Sequence, residues 1–98
     1  MLLFSMDTLT AKRRGREQRE YCFAAETEIN AALVHGPVFA RLESNADAGP
    51  FIVHDVAVAD YGHGSYGIDV EVLEGWRGSS LVLCTCEDHN VIEVEREQ

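Results

Sequence analysis

Hydrophobic residues between positions 20 and 35 recur at steps of three and four, which is the spacing of one face of an α-helix. The positions that form this apolar face are Cys22, Ala25, Ile29 and Ala32, flanked by Tyr21 and Leu33. The pattern stops at His35-Gly36-Pro37, where glycine suits a helix end and proline cannot continue the helix. We therefore predict one amphipathic helix that ends at this point.

Residues 1–19 have a different pattern, with most of the basic side chains and no clear apolar period. Gly15, inside the basic run 12–16, is a residue that weakens a helix interior. We therefore divide the chain into a basic N-terminal arm or helix start at 1–19 and a single acidic domain at 20–98. A second methionine, at position 6, offers another start position, and residues 1–5 would then be an extension.

After Pro37 the apolar residues follow a period of two, and segments rich in glycine, asparagine and aspartate separate the apolar runs. The predicted strands cover residues 38–44, 51–60, 66–74, 80–86 and 90–96. This order predicts an α+β domain in which one N-terminal amphipathic helix packs on an antiparallel meander of about five strands.

The predicted strands differ in the polarity of their faces. Asp69 and Glu71 alternate with apolar residues in the third strand, and Glu93 and Glu95 do so in the fifth. The second and fourth strands have apolar residues at both odd and even positions, and therefore on both faces, which is typical of strands covered on both faces. Because one helix covers only one face of a sheet, the other face needs the N-terminal segment, sheet curvature or a second subunit. A homodimer is one of these solutions.

Charge is distributed unevenly along the chain, whose formal net charge is −9. Five basic and three acidic residues give residues 1–20 a charge of +2, whereas three basic and fourteen acidic residues give residues 21–98 a charge of −11. An acidic body repels nucleic acid and membrane surfaces and attracts basic protein surfaces. The expected partner is therefore a basic protein surface, and direct binding of nucleic acid is disfavoured. No apolar run approaches the roughly 20 residues of a membrane-spanning helix.

Three cysteines, Cys22, Cys84 and Cys86, form an odd set without a disulfide framework, which predicts a reducing, cytoplasmic location. Cys84 and Cys86 with His89 are the nearest approach to a metal site, because thiolates and imidazoles are ligands that zinc prefers. One residue separates Cys84 from Cys86, whereas the cysteine pairs of zinc sites are usually separated by two, and free cysteines usually pack into a core. We expect no cofactor, with zinc at Cys84, Cys86 and His89 as the alternative.

Three further groups carry alternative hypotheses. Asp60 and His63 place an acid and a base in one glycine-rich turn, although the chain has no recognised catalytic motif. The basic arm 12–19 could contact phosphates, form a clasp on the acidic body or remain solvated. Trp76 and Arg77 lie at a predicted hairpin tip and belong to the residue types that most often anchor interfaces.

Taken together, these patterns favour a binding protein over an enzyme. The leading hypothesis is a small acidic protein-binding module, an inhibitor that mimics nucleic acid and occupies a basic site on a partner, comparable in size and charge to phage-encoded inhibitors. A small metal-dependent or acid–base enzyme and nucleic-acid contact through residues 12–19 are the alternatives. No motif identifies a family. The residues expected to contact a partner are Asp69, Glu71, Glu93, Glu95, Trp76 and Arg77.

Overall fold

The computed structural model describes residues 1–42, 49–74, 79–85 and 92–96, which form a helical layer packed on one antiparallel sheet. The predicted α+β class is thereby confirmed. The elements are β1 (Leu2–Ser5), α1 (Met6–Thr10), α2 (Arg16–His35), β2 (Val38–Leu42), β3 (Phe51–Gly62), β4 (Ser65–Glu74), β5 (Ser79–Cys84) and β6 (Ile92–Arg96).

The strands described lie in the order β1-β6-β2-β3-β4-β5, and all neighbouring pairs are antiparallel. The predicted meander is therefore present from β2 to β5. The last strand departs from it, because β6 returns across the sheet and pairs between β1 and β2. β3 and β4 form the longest pair, whereas β2 and β3 pair only through Phe39 with Ile52 and Ala40 with Phe51.

The N-terminal residues form a strand that the apolar periodicity did not predict. β1 pairs with β6, and its residues Leu3, Phe4 and Ser5 are buried. The hydroxyl of Tyr21 accepts a hydrogen bond from Ser5 N at 3.0 Å, and the rings of Phe4 and Tyr21 lie 5.6 Å apart. Leu3, Phe4 and Ser5 therefore belong to the packed part of this fold. Consecutive apolar residues show no period, which is why the pattern missed this strand.

The helix α2 starts where the basic run meets a glycine. Gly15 is its N-cap residue and has φ 89°, a left-handed conformation that suits glycine. This residue separates α2 from the short helix α1, whose N-cap Ser5 accepts a hydrogen bond from Thr8 N. Of the sequence alternatives, the structure thus shows a helix start at Arg16, and α2 ends at His35 as predicted.

The predicted apolar face of α2 packs against the sheet, because Cys22, Ala25, Ile29 and Ala32 are all buried. Three hydrogen bonds also attach α2 to the β3–β4 hairpin: Gly15 N to Gly64 O (2.6 Å), Tyr66 N to Gln18 Oε1 (3.2 Å) and Val58 N to Glu26 Oε2 (3.0 Å). On the sheet side the fully buried residues include Val38, Ile68, Val70, Val72 and Val94.

A β-bulge at His54 changes which residues of β3 face the helix. Val53 pairs with Val72 and Asp55 pairs with Glu71, so His54 is an extra residue on β3. An inserted residue reverses the alternation that follows it. Strict alternation therefore fails in this strand: the valines on both sides of the bulge pack toward α2, and the apolar Ile52 and Ala57 share the other face with Asp55.

Candidate protein-binding surface

The sheet face opposite α2 carries two adjacent rows of side chains that run across the strands. Phe39 pairs with Ile52, and Ile52 pairs with Leu73, so these three residues form a row that we call the apolar stripe. Next to it, Asp55 pairs with Glu71, and Asp69 lies two residues from Glu71 on the same face. We call Asp55, Asp69 and Glu71 the acidic band. Among the described residues, no helix packs on this face.

The acidic band surrounds an open depression of about 180 Å³. Ala57 and Val82 line it together with the three carboxylates. Asp55 is exposed, whereas Asp69 and Glu71 are partly buried. The small side chain of Ala57 lies opposite Asp69 and leaves space between the acids. The result is an open depression lined by three carboxylates and by apolar side chains.

The carboxylates of this band are not neutralised by any ion pair found in the described part of the chain. The salt bridges there join Arg13 to Glu17, Arg16 to Glu20 and Arg41 to Glu95. Like charges directly opposite on neighbouring strands, such as Asp55 and Glu71, destabilise a sheet by roughly 0.2–1 kcal/mol. One local contact is favourable, since Asp55 Oδ1 accepts a hydrogen bond from Val56 N at 2.8 Å.

The structure separates the four acidic residues predicted from alternation into two pairs. Asp69 and Glu71 belong to the acidic band, whereas Glu93 and Glu95 lie on β6, with β2 and β3 between. Glu95 forms a salt bridge of 2.6 Å with Arg41, which neutralises it. The four residues lie on one face of one sheet, and among the described residues the pair on β4 lies beside a further carboxylate, Asp55.

Asp55 is a site residue that sequence reasoning missed. Strict alternation from Val53 would turn Asp55 toward the helix, and only the bulge at His54 places it opposite Glu71. A sequence signal existed: Asp55 is a charged residue among the apolar residues Phe51, Val53 and Ala57 at alternate positions, which suggests an irregularity in the strand. Trp76 and Arg77, the other predicted contact residues, lie outside the described residues.

The proposed zinc ligands do not form a site within the described residues. Cys84 is disulfide-bonded, so the expectation of three reduced cysteines is wrong at this position, and a disulfide sulfur is not the thiolate that binds zinc. Cys86 and His89 lie outside the described residues. Cys22 is a free and fully buried thiol on α2, as expected for a core cysteine. Burial raises its pKa from 9.0 to about 11, which disfavours the thiolate.

Asp60 and His63 are not brought together as an acid–base pair by any contact found among the described residues. The Asp60 carboxylate accepts a hydrogen bond from Gly62 N at 2.8 Å, which is a turn-stabilising role. His63 is exposed in the β3–β4 turn and has φ 53°. The observed hydrogen bond assigns Asp60 to the turn.

Most of the basic residues at 12–19 have local partners. Arg13 and Arg16 form exposed salt bridges with Glu17 and Glu20 one helical turn away. Lys12 lies over the ring of Tyr21, at 5.9 Å from its centre, and Arg19 lies 5.8 Å from the centre of the Phe23 ring. These contacts hold the stems of the side chains on the surface of α2 and its preceding turn.

No helix among the described residues has the length and hydropathy needed to span a membrane. No protein-family model matches the chain, and neither a curated protein nor a solved structure is significantly similar to it.

Proposed function

We propose that this protein is a small acidic protein-binding module whose acidic band occupies a basic site on a partner protein, as an inhibitor that mimics nucleic acid does. The observation that carries the proposal is the concentration of Asp55, Asp69 and Glu71 around one depression, without an ion pair to any of them in the described part of the chain.

Repulsion within this band supports a role in binding. The opposed pair Asp55 and Glu71 weakens the sheet, and no contact of Asp69 or Glu71 that we find among the described residues offsets that loss. Local violations of folding rules of this kind are concentrated at functional sites. Lysine or arginine residues of a partner would supply the missing positive charge, and they would also steer the encounter.

The spacing of the band supports a partner that normally binds phosphates. Asp69 and Glu71 are alternate residues of one strand, so their backbones are separated by roughly 7 Å. Asp55 adds a third carboxylate, and its Cβ atom lies roughly 5 Å from the Cβ atom of Glu71, its cross-strand neighbour. Charges at such intervals are of the same order as those along a nucleic-acid strand.

Affinity capture from extracts of the source organism tests the proposal. The immobilised wild-type protein is compared with a band variant, Asp55→Asn/Asp69→Asn/Glu71→Gln. Asparagine keeps the oxygen that accepts a hydrogen bond from Val56 N, so the bulge should persist. A helix variant, Glu17→Gln/Glu20→Gln/Glu28→Gln, removes the same number of charges from exposed positions of α2 and serves as the matched control.

We expect the wild type and the helix variant to capture the same partner and the band variant to lose it. The captured protein should be released by added double-stranded nucleic acid, because the two compete for one basic site. Raising the salt concentration to about 1 M, where screening acts beyond about 3 Å, should also release it. Equal capture by the folded band variant would refute the proposal.

A further inference from the structure

The apolar stripe is exposed beside the acidic band. Ile52 is 49% exposed, Leu73 is 37% exposed, and Phe39 is half-buried next to them. Val82, at the end of the row that contains Asp55 and Glu71, is 57% exposed. The face therefore presents an apolar row and an acidic row side by side.

The two rows are complementary to a partner surface that carries apolar and basic residues side by side. We propose that the stripe and the band together bind an amphipathic basic helix of the partner, with its apolar side chains on the stripe and its lysine or arginine side chains on the band. This inference rests on the proposed function and specifies the partner. A helix presents apolar and charged residues in neighbouring longitudinal stripes. An extended strand in which apolar and basic residues alternate strictly presents only one kind of residue on each face, so it matches one row at a time.

The distances match the width of a helix. Phe39, Ile52 and Leu73 lie on three neighbouring strands, so the stripe spans roughly 10 Å across the sheet. The row of Asp55 and Glu71 lies about two residues further along the strands, or roughly 7 Å away. A helix with its side chains is about 10–12 Å in diameter, so one helix that crosses the strands covers both rows.

A second copy of this chain fits the same face poorly. A symmetric dimer through this face would place two acidic bands of like charge in one interface, without a basic residue of the band to pair with them. The charge of the band is complementary to a basic segment instead. The apolar faces that favoured a homodimer are also reduced, because the bulge at His54 turns the valines of β3 toward α2.

Synthetic peptides test the inference without knowledge of the natural partner. One peptide of about 14 leucine and lysine residues, roughly four turns long, carries its leucines at helical spacing. A second peptide of equal composition alternates leucine and lysine, and a third is an oligolysine of equal charge. Binding is measured by calorimetry for the wild type, the band variant, the helix variant and a stripe variant, Ile52→Thr/Leu73→Thr. Threonine keeps a high preference for strands.

We expect the helical peptide to bind the wild type and the helix variant alike, and at least about tenfold more tightly than the alternating peptide. The stripe variant should lose about tenfold toward the helical peptide and nothing toward oligolysine, whereas the band variant should lose affinity for both. If the double stripe variant does not fold, the single variant Ile52→Thr takes its place with a smaller expected loss.

The outcomes separate the inference from the function on which it rests. Equal binding of the helical peptide to the wild type and the folded stripe variant, together with weaker binding by the band variant, would overturn the amphipathic helix and leave the acidic site. Insensitivity to the band variant would overturn both. A wild-type dimer in sedimentation that the stripe variant abolishes would assign the stripe to a second copy and also overturn the inference.

Discussion

Thr85, directly after β5, is the centre of a hydrogen-bonded cluster with Tyr61 of β3 and Ile68 of β4. Thr85 is 7% exposed, and its hydroxyl accepts a hydrogen bond from Ile68 N at 2.9 Å and lies 3.0 Å from the hydroxyl of Tyr61. The neighbouring backbone at Gly67 has no side chain, which lets both hydroxyl-bearing side chains approach it. Burial raises the pKa of Tyr61, in agreement with its place inside this cluster.

Gly67→Ala should destabilise the protein by about 1–3 kcal/mol, the usual cost of overpacking. A Cβ atom at this position would overlap Thr85 Oγ1 and lie 2.7 Å from a ring carbon of Tyr61, so the cluster would have to move. Denaturant unfolding measures the loss. Gly36→Ala is the matched control, because its Cβ would meet open space and its φ of 164° is extended backbone. Equal loss in both variants would contradict the steric explanation.

Cys22 should make the free energy of unfolding depend on pH in the alkaline range. Burial raises the pKa of this thiol from 9.0 to about 11, so between these values the unfolded chain loses the proton and the native protein retains it. Stability is therefore complete below pH 9 and falls by up to roughly 3 kcal/mol as the pH rises to 11.

The variant Cys22→Ala isolates this effect. Tyr61, whose pKa is also raised, is present in both proteins; burial, the largest cause of its shift, is common to them, and only the smaller contribution from the Cys22 charge is lost in the variant. The difference in unfolding free energy between the wild type and Cys22→Ala should therefore shrink between pH 9 and pH 11. A difference that is constant with pH would show that the thiol does not titrate with a raised pKa.

At the scale of elements, the β-bulge of β3 determines the composition of both faces of the sheet. Its register makes His54 the extra residue, and the side chain of His54 is exposed. The backbone insertion, and not the imidazole, is thus what places Asp55 opposite Glu71.

Deletion of His54 should destabilise the protein far more than His54→Ala. Without the extra residue, one of two changes must follow beyond Val53. Asp55 and Ala57 would turn toward α2, or the pairing of β3 with β4 would shift along its whole length. We expect a loss of more than about 3 kcal/mol for the deletion and less than about 0.5 kcal/mol for the alanine variant. Thermal and denaturant unfolding give both values, and a similar loss in the two variants would assign the effect to the side chain.

The strand β1 contributes buried surface that a basic arm would not. Phe4 is 1% exposed and packs against Tyr21. A protein that starts at Met6 would lose this side chain and expose one edge of β6. We expect Phe4→Ala to cost about 3–5 kcal/mol and removal of residues 1–5 to cost at least as much, as measured by unfolding. Leu2→Ala, at a 52% exposed position of the same strand, is the control and should cost far less.

At the scale of the whole molecule, charge is divided between the two sides of the fold. The basic residues 12–19 lie at the start of α2, and the acidic band lies on the opposite face of the sheet. The predicted homodimer remains a prediction, which sedimentation at micromolar concentration tests. One of the two observations behind it is weakened, because Asp55 lies among the apolar residues on the second face of β3.

The double variant Asp69→Asn/Glu71→Gln should be more stable than the wild type, because it removes repulsion within the band. We expect a gain of about 0.2–1 kcal/mol at low ionic strength, which shrinks at about 1 M salt. Glu93→Gln/Glu95→Gln is the control and should give no such gain, since Glu95 loses its salt bridge with Arg41. A loss of stability in the band pair would indicate that these carboxylates have structural partners.

Local periodicity determined much of this fold before any tertiary contact was known. The helix face from Cys22 to Ala32 and the one-sided alternation around Asp69 and Glu71 depend on residues a few positions apart, and the structure confirms both. Turn residues likewise predicted the ends of β2 to β6 to within a few positions. Such features are predictable because backbone geometry repeats over short distances.

Only the tertiary structure decided which distant residues meet. β1 pairs with β6 across most of the chain, and no short-range pattern records that pairing. The bulge at His54 reverses the alternation of β3, and it alone brings Asp55 into the acidic band. Both features exist because burial of Phe4, Val56 and their neighbours stabilises one arrangement of the whole sheet, whereas the local sequence is compatible with several.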